Sequence, residues 1–343
     1  MWETIPQEIY LQIIHFINEP KQIKQCRLVC KYWNHPDLKY IQQLSRIVIN
    51  NKNSVSFVYD FMERHPTKGR FVKHIILGDS FDWNRTFLNL MDLIFTPNLE
   101  VFKGILTYNE DHFYYKISNI IKSSPKKTWN LKVVPDNQYF SYLYFKTLLL
   151  LKDSLEDITL NFHNYNRDSP PDKGRIARHM DQFTRLKKLS LMGSFRIKEL
   201  RDILQACPHL EELYLEAEGL RSFIFDPCSS DYTDLKKMTS LRTLKIGRYA
   251  PASVMEYLIC IYPNVETVES DGRWCYPLYN EVIFTTLKAI EKVPIYKVKY
   301  MLDDNITPLG DIVKSIKAIR HDVSVEHFIN AIDAEEIIIT SNL

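Results

Sequence analysis

The sequence predicts an α/β protein in which a short all-helical N-terminal segment precedes an irregular solenoid of strand and helix repeats. Three observations carry that expectation. The pattern apolar-x-x-apolar-x-apolar recurs along most of the chain. Each copy is followed by a stretch with helical spacing that stops before the next copy. The first forty residues show helical spacing alone.

The clearest copies are Leu155-x-x-Ile158-x-Leu160, Leu186-x-x-Leu189-x-Leu191, Leu210-x-x-Leu213-x-Leu215 and Leu241-x-x-Leu244-x-Ile246. Weaker ones start at Val72, Leu99, Thr128, Val265, Ile295 and Ala334, and the best-defined steps alternate 31, 24, 31 and 24 residues. Alternate residues of x-L-x-L point inward from a short strand. Helical stripes come next, such as Ile197, Leu200, Ile203 and Leu204, or Val254, Tyr257, Leu258 and Ile261. Prolines stop these helices at Thr96-Pro97, Cys207-Pro208 and Tyr262-Pro263, because proline cannot continue a helix. A single unit cannot bury both its strand leucines and its helix stripe, so neighbours must stack around a parallel sheet. The copies resemble leucine-rich repeats, with a departure: Ser194, Glu218 and Tyr249 stand where that family usually carries Asn or Cys. Without that buried polar ladder the curvature is expected to be irregular. The polar stretches 163–175 and 226–234 are expected to be inserted loops.

Composition bounds the function. The 343 residues are 45% hydrophobic, ample for a core, and 44 Lys and Arg against 42 Asp and Glu leave a net charge of +2. No global electrostatic pull toward nucleic acid or an anionic membrane results, so neither partner is expected. The longest apolar run, Tyr257 to Tyr262, falls well short of the roughly 18 residues a membrane span needs. Met1-Trp2-Glu3-Thr4 has no signal-peptide character, and six scattered Cys form no disulfide framework; a cytoplasmic or nuclear setting is expected. Gly is scarce, at nine residues, which argues against phosphate-cradling loops. No His-Glu-x-x-His or Gly-x-Ser-x-Gly stands in the sequence, so no catalytic residue and no cofactor are expected. Asn84 and Asn305 open glycosylation-like triplets too short to carry weight.

At the N-terminus, Thr4 and Gln7 make a capping box with Pro6 in the first turn. Ile9, Ile13 and Phe16 form one apolar row of the helix that starts there, and Tyr10, Ile14 and Ile17 an adjacent one. A second helix is expected from Lys21 to about Trp33, ended by His35-Pro36. Cys26 and Cys30 lie four apart on it with His35 beyond, and with no fourth ligand in view they suit helix packing rather than zinc. Forty residues cannot enclose so much apolar surface. Composition alone allows two covers: the adjoining repeats, with the segment as a cap, or a separate protein.

The order of residues distinguishes them. Trp2-x-x-Ile5-Pro6-x-Glu8-Ile9, then Ile13, Ile14 and Ile17, then Cys26-Arg27-Leu28-Val29-Cys30-Lys31-x-Trp33-Asn34, closely resembles the F-box. The departures, Ile5 and Ile17 in place of Leu, keep volume and apolarity. The next stretch of chain is similar to fungal-type F-box and leucine-rich-repeat proteins: Arg46-Ile47-Val48-Ile49 as a first strand, Ser54 to Arg64 as a helix, and Gly69 to Leu77 leading into the next repeat. The resemblance implies an F-box domain over 1–42 and a leucine-rich-repeat solenoid over 43–343. It implies docking on the Skp-type adaptor of an SCF-type cullin-RING ubiquitin ligase, and through it contact with cullin and RING subunits. Trp2, Ile5, Pro6, Glu8, Ile9, Ile13, Leu28, Val29 and Trp33 would face the adaptor, and the repeats would hold a protein substrate. An F-box scaffold that binds the adaptor without cullin, and a plain repeat scaffold capped by these helices, remain the alternatives.

The period-two rule places outward residues on the open sheet face: Asp157, Thr159 and Asn161; Lys188, Ser190 and Met192; Glu212, Tyr214 and Glu216; Thr243, Lys245 and Gly247; Thr267, Glu269 and Asp271; Lys297, Lys299 and Met301. Among these, Lys188, Ser190, Glu212, Tyr214, Glu216, Lys245, Glu269 and Lys297 are the candidate substrate contacts. Their charges change sign from strand to strand, which suits a protein or peptide rather than a uniform polyanion and equally suits a solvated face. Phe81, Trp83, Trp274 and Tyr276 suit packing at strand ends better than the alternative, anchors for a partner.

Overall fold

A computed structural model describes residues 45–78, 84–106, 110–125, 127–163, 172–220, 237–247, 250–271, 279–301, 309–319, 321, 323–329 and 335–341. The expectations for the two N-terminal helices, for Cys26, Cys30 and His35, for the aromatics Phe81, Trp83, Trp274 and Tyr276, for Tyr249, for the 226–234 insertion and for Asn305 lie outside them. The chain divides into two compact units, Met1–Asp136 and Asn137–Leu343.

The described part of the first unit is a parallel sheet with helices between its strands. Its elements are β1 (Arg46–Ile49), α1 (Lys52–Arg64), β2 (His74–Leu77), α2 (Arg85–Ile94), β3 (Val101–Lys103), β4 (Ile105–Leu106) and α3 (Glu110–Lys122). The order β1-β2-β3 is in register at Arg46, His74 and Val101. Both early helices start on side-chain caps: Asn51 accepts from Ser54 N–H, and Asn84 accepts from Phe87 N–H at 3.0 Å. Asn84, which opened a glycosylation-like triplet, thus has a structural role. Phe87, Phe102 and Phe113 meet at centroid distances of 5.7 to 6.4 Å and fill the core between helices and sheet. The copy starting at Thr128 forms no full strand, and only Val133 bridges to Val101.

β5 (Asp136–Asn137) spans the boundary between the units. The second unit continues with α4 (Tyr142–Leu150), β6 (Asp157–Asn161), α5 (Lys173–Met180), β7 (Lys188–Gly193), α6 (Ile197–Gln205), β8 (Glu212–Ala217), β9 (Thr243–Ile246), α7 (Ala252–Ile261), β10 (Thr267–Asp271), α8 (Tyr279–Ala289), β11 (Ile295–Met301), α9 (Leu309–Ile319), β12 (Val323–Ile329) and β13 (Glu335–Ser341). Strands β6 to β11 lie side by side in chain order, each parallel to the next. The period-two expectation is visible in burial: Leu213, Leu215 and Ala217 are buried while Glu212, Tyr214 and Glu216 are half-exposed. The helix stripes Leu200, Ile203, Leu204 and Val254, Tyr257, Leu258, Ile261 are buried against the sheet.

Two backbone devices repeat with the sequence pattern. The first apolar residue of a copy closes a turn onto the carbonyl three residues earlier: Leu99 onto Thr96, Leu210 onto Cys207, Val265 onto Tyr262. Pro97, Pro208 and Pro263 each occupy the second turn position, where a fixed φ is preformed. The next residue then offers its carbonyl to two successive N–H groups of the following copy. Glu156 accepts from Lys187 and Lys188, Lys187 from Glu211 and Glu212, Glu211 from Arg242 and Thr243, and Arg242 from Glu266 and Thr267, all at 2.8 to 3.0 Å. The same fork joins Ser45 to Lys73 and His74, and Lys73 to Glu100 and Val101. Asn98 and Asn264, next to the turn prolines, donate back to Arg70 and Thr239 carbonyls at 3.0 and 3.2 Å.

Three expectations are corrected. Residues 173–175 are not loop but the first turn of α5, because Asp172 caps it by accepting from Arg175 N–H at 2.9 Å. Lys173 is held there by Glu199 at 3.5 Å and lies over the Phe162 and Phe195 rings at 5.6 and 5.1 Å. The copy assigned to Ala334 is not a parallel repeat: β12 and β13 form an antiparallel hairpin whose β13 pairs antiparallel with β11. Alternating Ile337 and Ile339, both buried, satisfy the same period-two rule, which does not encode strand direction. Finally, Gly247 faces outward as alternation expects but is covered rather than open, because the Tyr214 ring lies over it.

Candidate functional site

Strand register converts the outward residues into rows across the sheet. Lys188, Glu212, Thr243, Thr267 and Ile295 form one row; Ser190, Tyr214, Lys245, Glu269 and Lys297 form the next. A third row pairs Met192 with Glu216 and Asp271 with Lys299. Parallel neighbours lie about 4.8 Å apart, so side chains in a row touch or nearly touch.

The rows are tied at one end. Lys188 Nζ meets Glu212 Oε2 at 2.5 Å and Lys245 Nζ meets Oε1 of the same carboxylate at 2.8 Å. Partial burial pushes the Glu212 carboxyl up, but the hydrogen bonds from Lys188 and then Lys245 outweigh it and hold the group below its ordinary value. The hydrogen bond to Glu212, opposed by burial, lifts Lys245 above its own. Tyr214 Oη donates to Glu216 Oε2 at 2.8 Å.

Beside this tie lies an open pocket of about 450 Å³ lined by Tyr214, Glu216, Lys245, Ile246, Gly247, Glu269, Ser270, Asp271, Lys297 and Lys299. Five predicted contacts line it: Tyr214, Glu216, Lys245, Glu269 and Lys297. Lys188, Ser190 and Glu212 lie on the same face outside the lining. Asp271 and Lys299 were placed outward by the period-two rule without being singled out. Gly247 was placed outward by the same rule, and what alternation did not show is that the Tyr214 ring covers it.

The pocket lining offers charged and hydrogen-bonding side chains of both signs. Among the described residues, no three His, Cys, Asp or Glu side chains are placed to hold a metal ion, and no helix is long and apolar enough to cross a membrane. Elsewhere, burial pushes the Cys207 thiol up to about 12, which keeps it protonated and inert.

The nine predicted adaptor contacts, Trp2 to Trp33, lie outside the described residues. Comparison with protein families bears on that region. Residues 2–36 match the family described as F-box-like. This supports reading the chain as an F-box protein. No curated protein matches the sequence.

Proposed function

We propose that the chain is a substrate-recognition subunit of an SCF-type cullin-RING ubiquitin ligase. Residues 1–42 dock on the Skp-type adaptor, and residues 43–343, as a leucine-rich-repeat solenoid, hold the protein to be modified. The observation that carries this reading is the F-box-like match at residues 2–36. It is supported by the charged rows on the β6 to β11 face, which offer a broad polar surface for a protein partner. Each buried apolar contact with the adaptor contributes about 1 to 3 kcal/mol. The chain itself performs no chemistry. It raises the effective concentration of client lysines near a ubiquitin-loaded enzyme carried by another subunit, in the cytoplasm or nucleus.

Co-expression with a Skp-type adaptor tests the reading. The full chain is expected to copurify with the adaptor and to be more soluble with it than alone. Ile9→Asp with Val29→Asp is expected to abolish copurification while leaving the circular dichroism of the chain intact. Loss of fold in that variant instead means the helices only cap the repeats. Adaptor captured without cullin means a scaffold outside ubiquitination.

A further inference from the structure

We infer that the outward sheet face of the first unit takes an extended client segment with an apolar residue between two carboxylates, in the pattern acidic-x-apolar-x-acidic, and that no phosphate is needed. This rests on the proposed role of the repeats in holding a client, and it names the chemistry of that client.

Alternation and register build this face. Ile47, Ile49, Ile75, Leu77 and Phe102 are buried, which leaves the residues between them outward. Arg46, His74 and Val101 form one outward row, and Val48, Ile76 and Lys103 form the next. Val133, bridged to Val101, extends the first row. Val48 is 46% exposed, and Ile76 and Val101 are half-exposed, so the aliphatic centre of the face is open. Single exposed apolar side chains are ordinary on a protein surface, but here three branched ones adjoin through register.

The charges around that centre say what covers it. Arg46 and Lys103 are both exposed, and neither is engaged in an ion pair among the described residues. Glu100, the carboxylate next to Val101 in sequence, is taken up by Lys73 at 3.1 Å. Burial, opposed by Glu100 and joined by Lys73 and Arg46, holds His74 below its ordinary value, so it is neutral at pH 7 and adds no third charge. The face therefore complements a segment carrying two separated negative charges and an apolar side chain. Spacing sets the pattern. Arg46 and Lys103 lie two strands and two residues apart by register, about 12 Å. An extended chain spans that distance in about four residues, and its residues i, i+2 and i+4 share a face. Acidic side chains at i and i+4 meet the two cations while the residue at i+2 rests among Val48, Ile76 and Val101. Cations this far apart do not close together on one phosphate, and aliphatic side chains give nucleic-acid bases no ring to stack on.

The test uses the full chain copurified with the Skp-type adaptor, so adaptor capture is scored on the same material. A library of displayed randomised peptides, with phosphoserine as an added letter, is selected on it. Peptides carrying acidic-x-apolar-x-acidic are expected to be enriched about tenfold over charge-neutral ones, the size of two exposed charge pairs and one partly covered apolar side chain. Arg46→Glu with Lys103→Glu is expected to turn both flanking positions basic while keeping the apolar centre and leaving the melting temperature unchanged. Val48→Ser with Ile76→Ser is expected to lose the apolar preference and keep the acidic ones. Selection of phosphorylated or basic peptides, no enriched pattern, or an unchanged pattern in the variants overturns the inference. So does a dimer of the chain that the charge-reversed variant dissociates, which puts a second copy on the face. Failure to capture adaptor overturns the functional reading instead.

Discussion

Glu212 accepts hydrogen bonds from two lysines on neighbouring strands, and this makes stability depend on pH in a defined direction. Its carboxyl titrates below the ordinary 4.5, and Lys245 titrates above the ordinary 10.5. The unfolded chain has neither shift. The carboxyl contribution is therefore fully present above 4.5 and disappears as pH falls through the lowered folded value. The ammonium contribution is present below 10.5 and disappears as pH rises through the raised one. With 54% of the Lys188 side chain exposed, solvent screens part of the gain. Glu212→Gln is expected to melt below wild type at neutral pH, with the gap closing in acid and narrowing in high salt. A gap that stays constant down to about pH 2 would trace the loss to packing rather than to charge.

At the scale of elements, α5 shows what caps decide. Pro170, Pro171 and Gly174 mark a loop by composition, yet Ile176 and Met180 four apart, both buried, mark a helix face. Asp172 tips the balance by capturing Arg175 N–H, a signal weaker in the sequence than two adjacent prolines. Asp172→Ala is expected to remove about 1 kcal/mol, read as a lower melting temperature with an unchanged Asn84 cap on α2 serving as internal comparison. The turns were more legible, because proline both ends the helix and presets the φ that the turn before each strand needs. The Asn98 and Asn264 side-chain bonds were not, since nothing local tells an asparagine which distant carbonyl it will find.

Over the whole molecule, the inward residues of strands and helices were legible because burial enforces a period. The terminal hairpin was not, because its burial pattern is the same as that of a parallel strand and only the ladder distinguishes them. The site was legible in half measure: the row residues follow from alternation, whereas the covering of Gly247 depends on where a neighbouring ring lies. Strands β7 to β10 are each held by the one before and the one after, and β11 by β10 and β13, so protection is set by distance from the ends of the sheet. Amide hydrogen exchange is expected to be slowest in β9 and β10, in the middle of the eight-stranded sheet, and fastest in its outer strands β6 and β12. Leu213→Ala, at a position with no exposure, is expected to lower stability by about 2 to 5 kcal/mol and to speed exchange in β7 and β9 before β12. Uniform acceleration would mean the unit opens all at once.

The forked carbonyls build a recurring part of the join between copies from backbone. Glu156, Lys187, Glu211 and Arg242 hold the next copy through backbone oxygens, to which the Lys187 and Arg242 side chains add ion pairs with Glu211 and Glu266 at 3.1 and 3.0 Å, and the backbone part of the join does not depend on which side chains stand outward in the strands it anchors. Frame and lettering are thereby separable: the outer rows can be rewritten position by position while the spine beneath keeps its alignment.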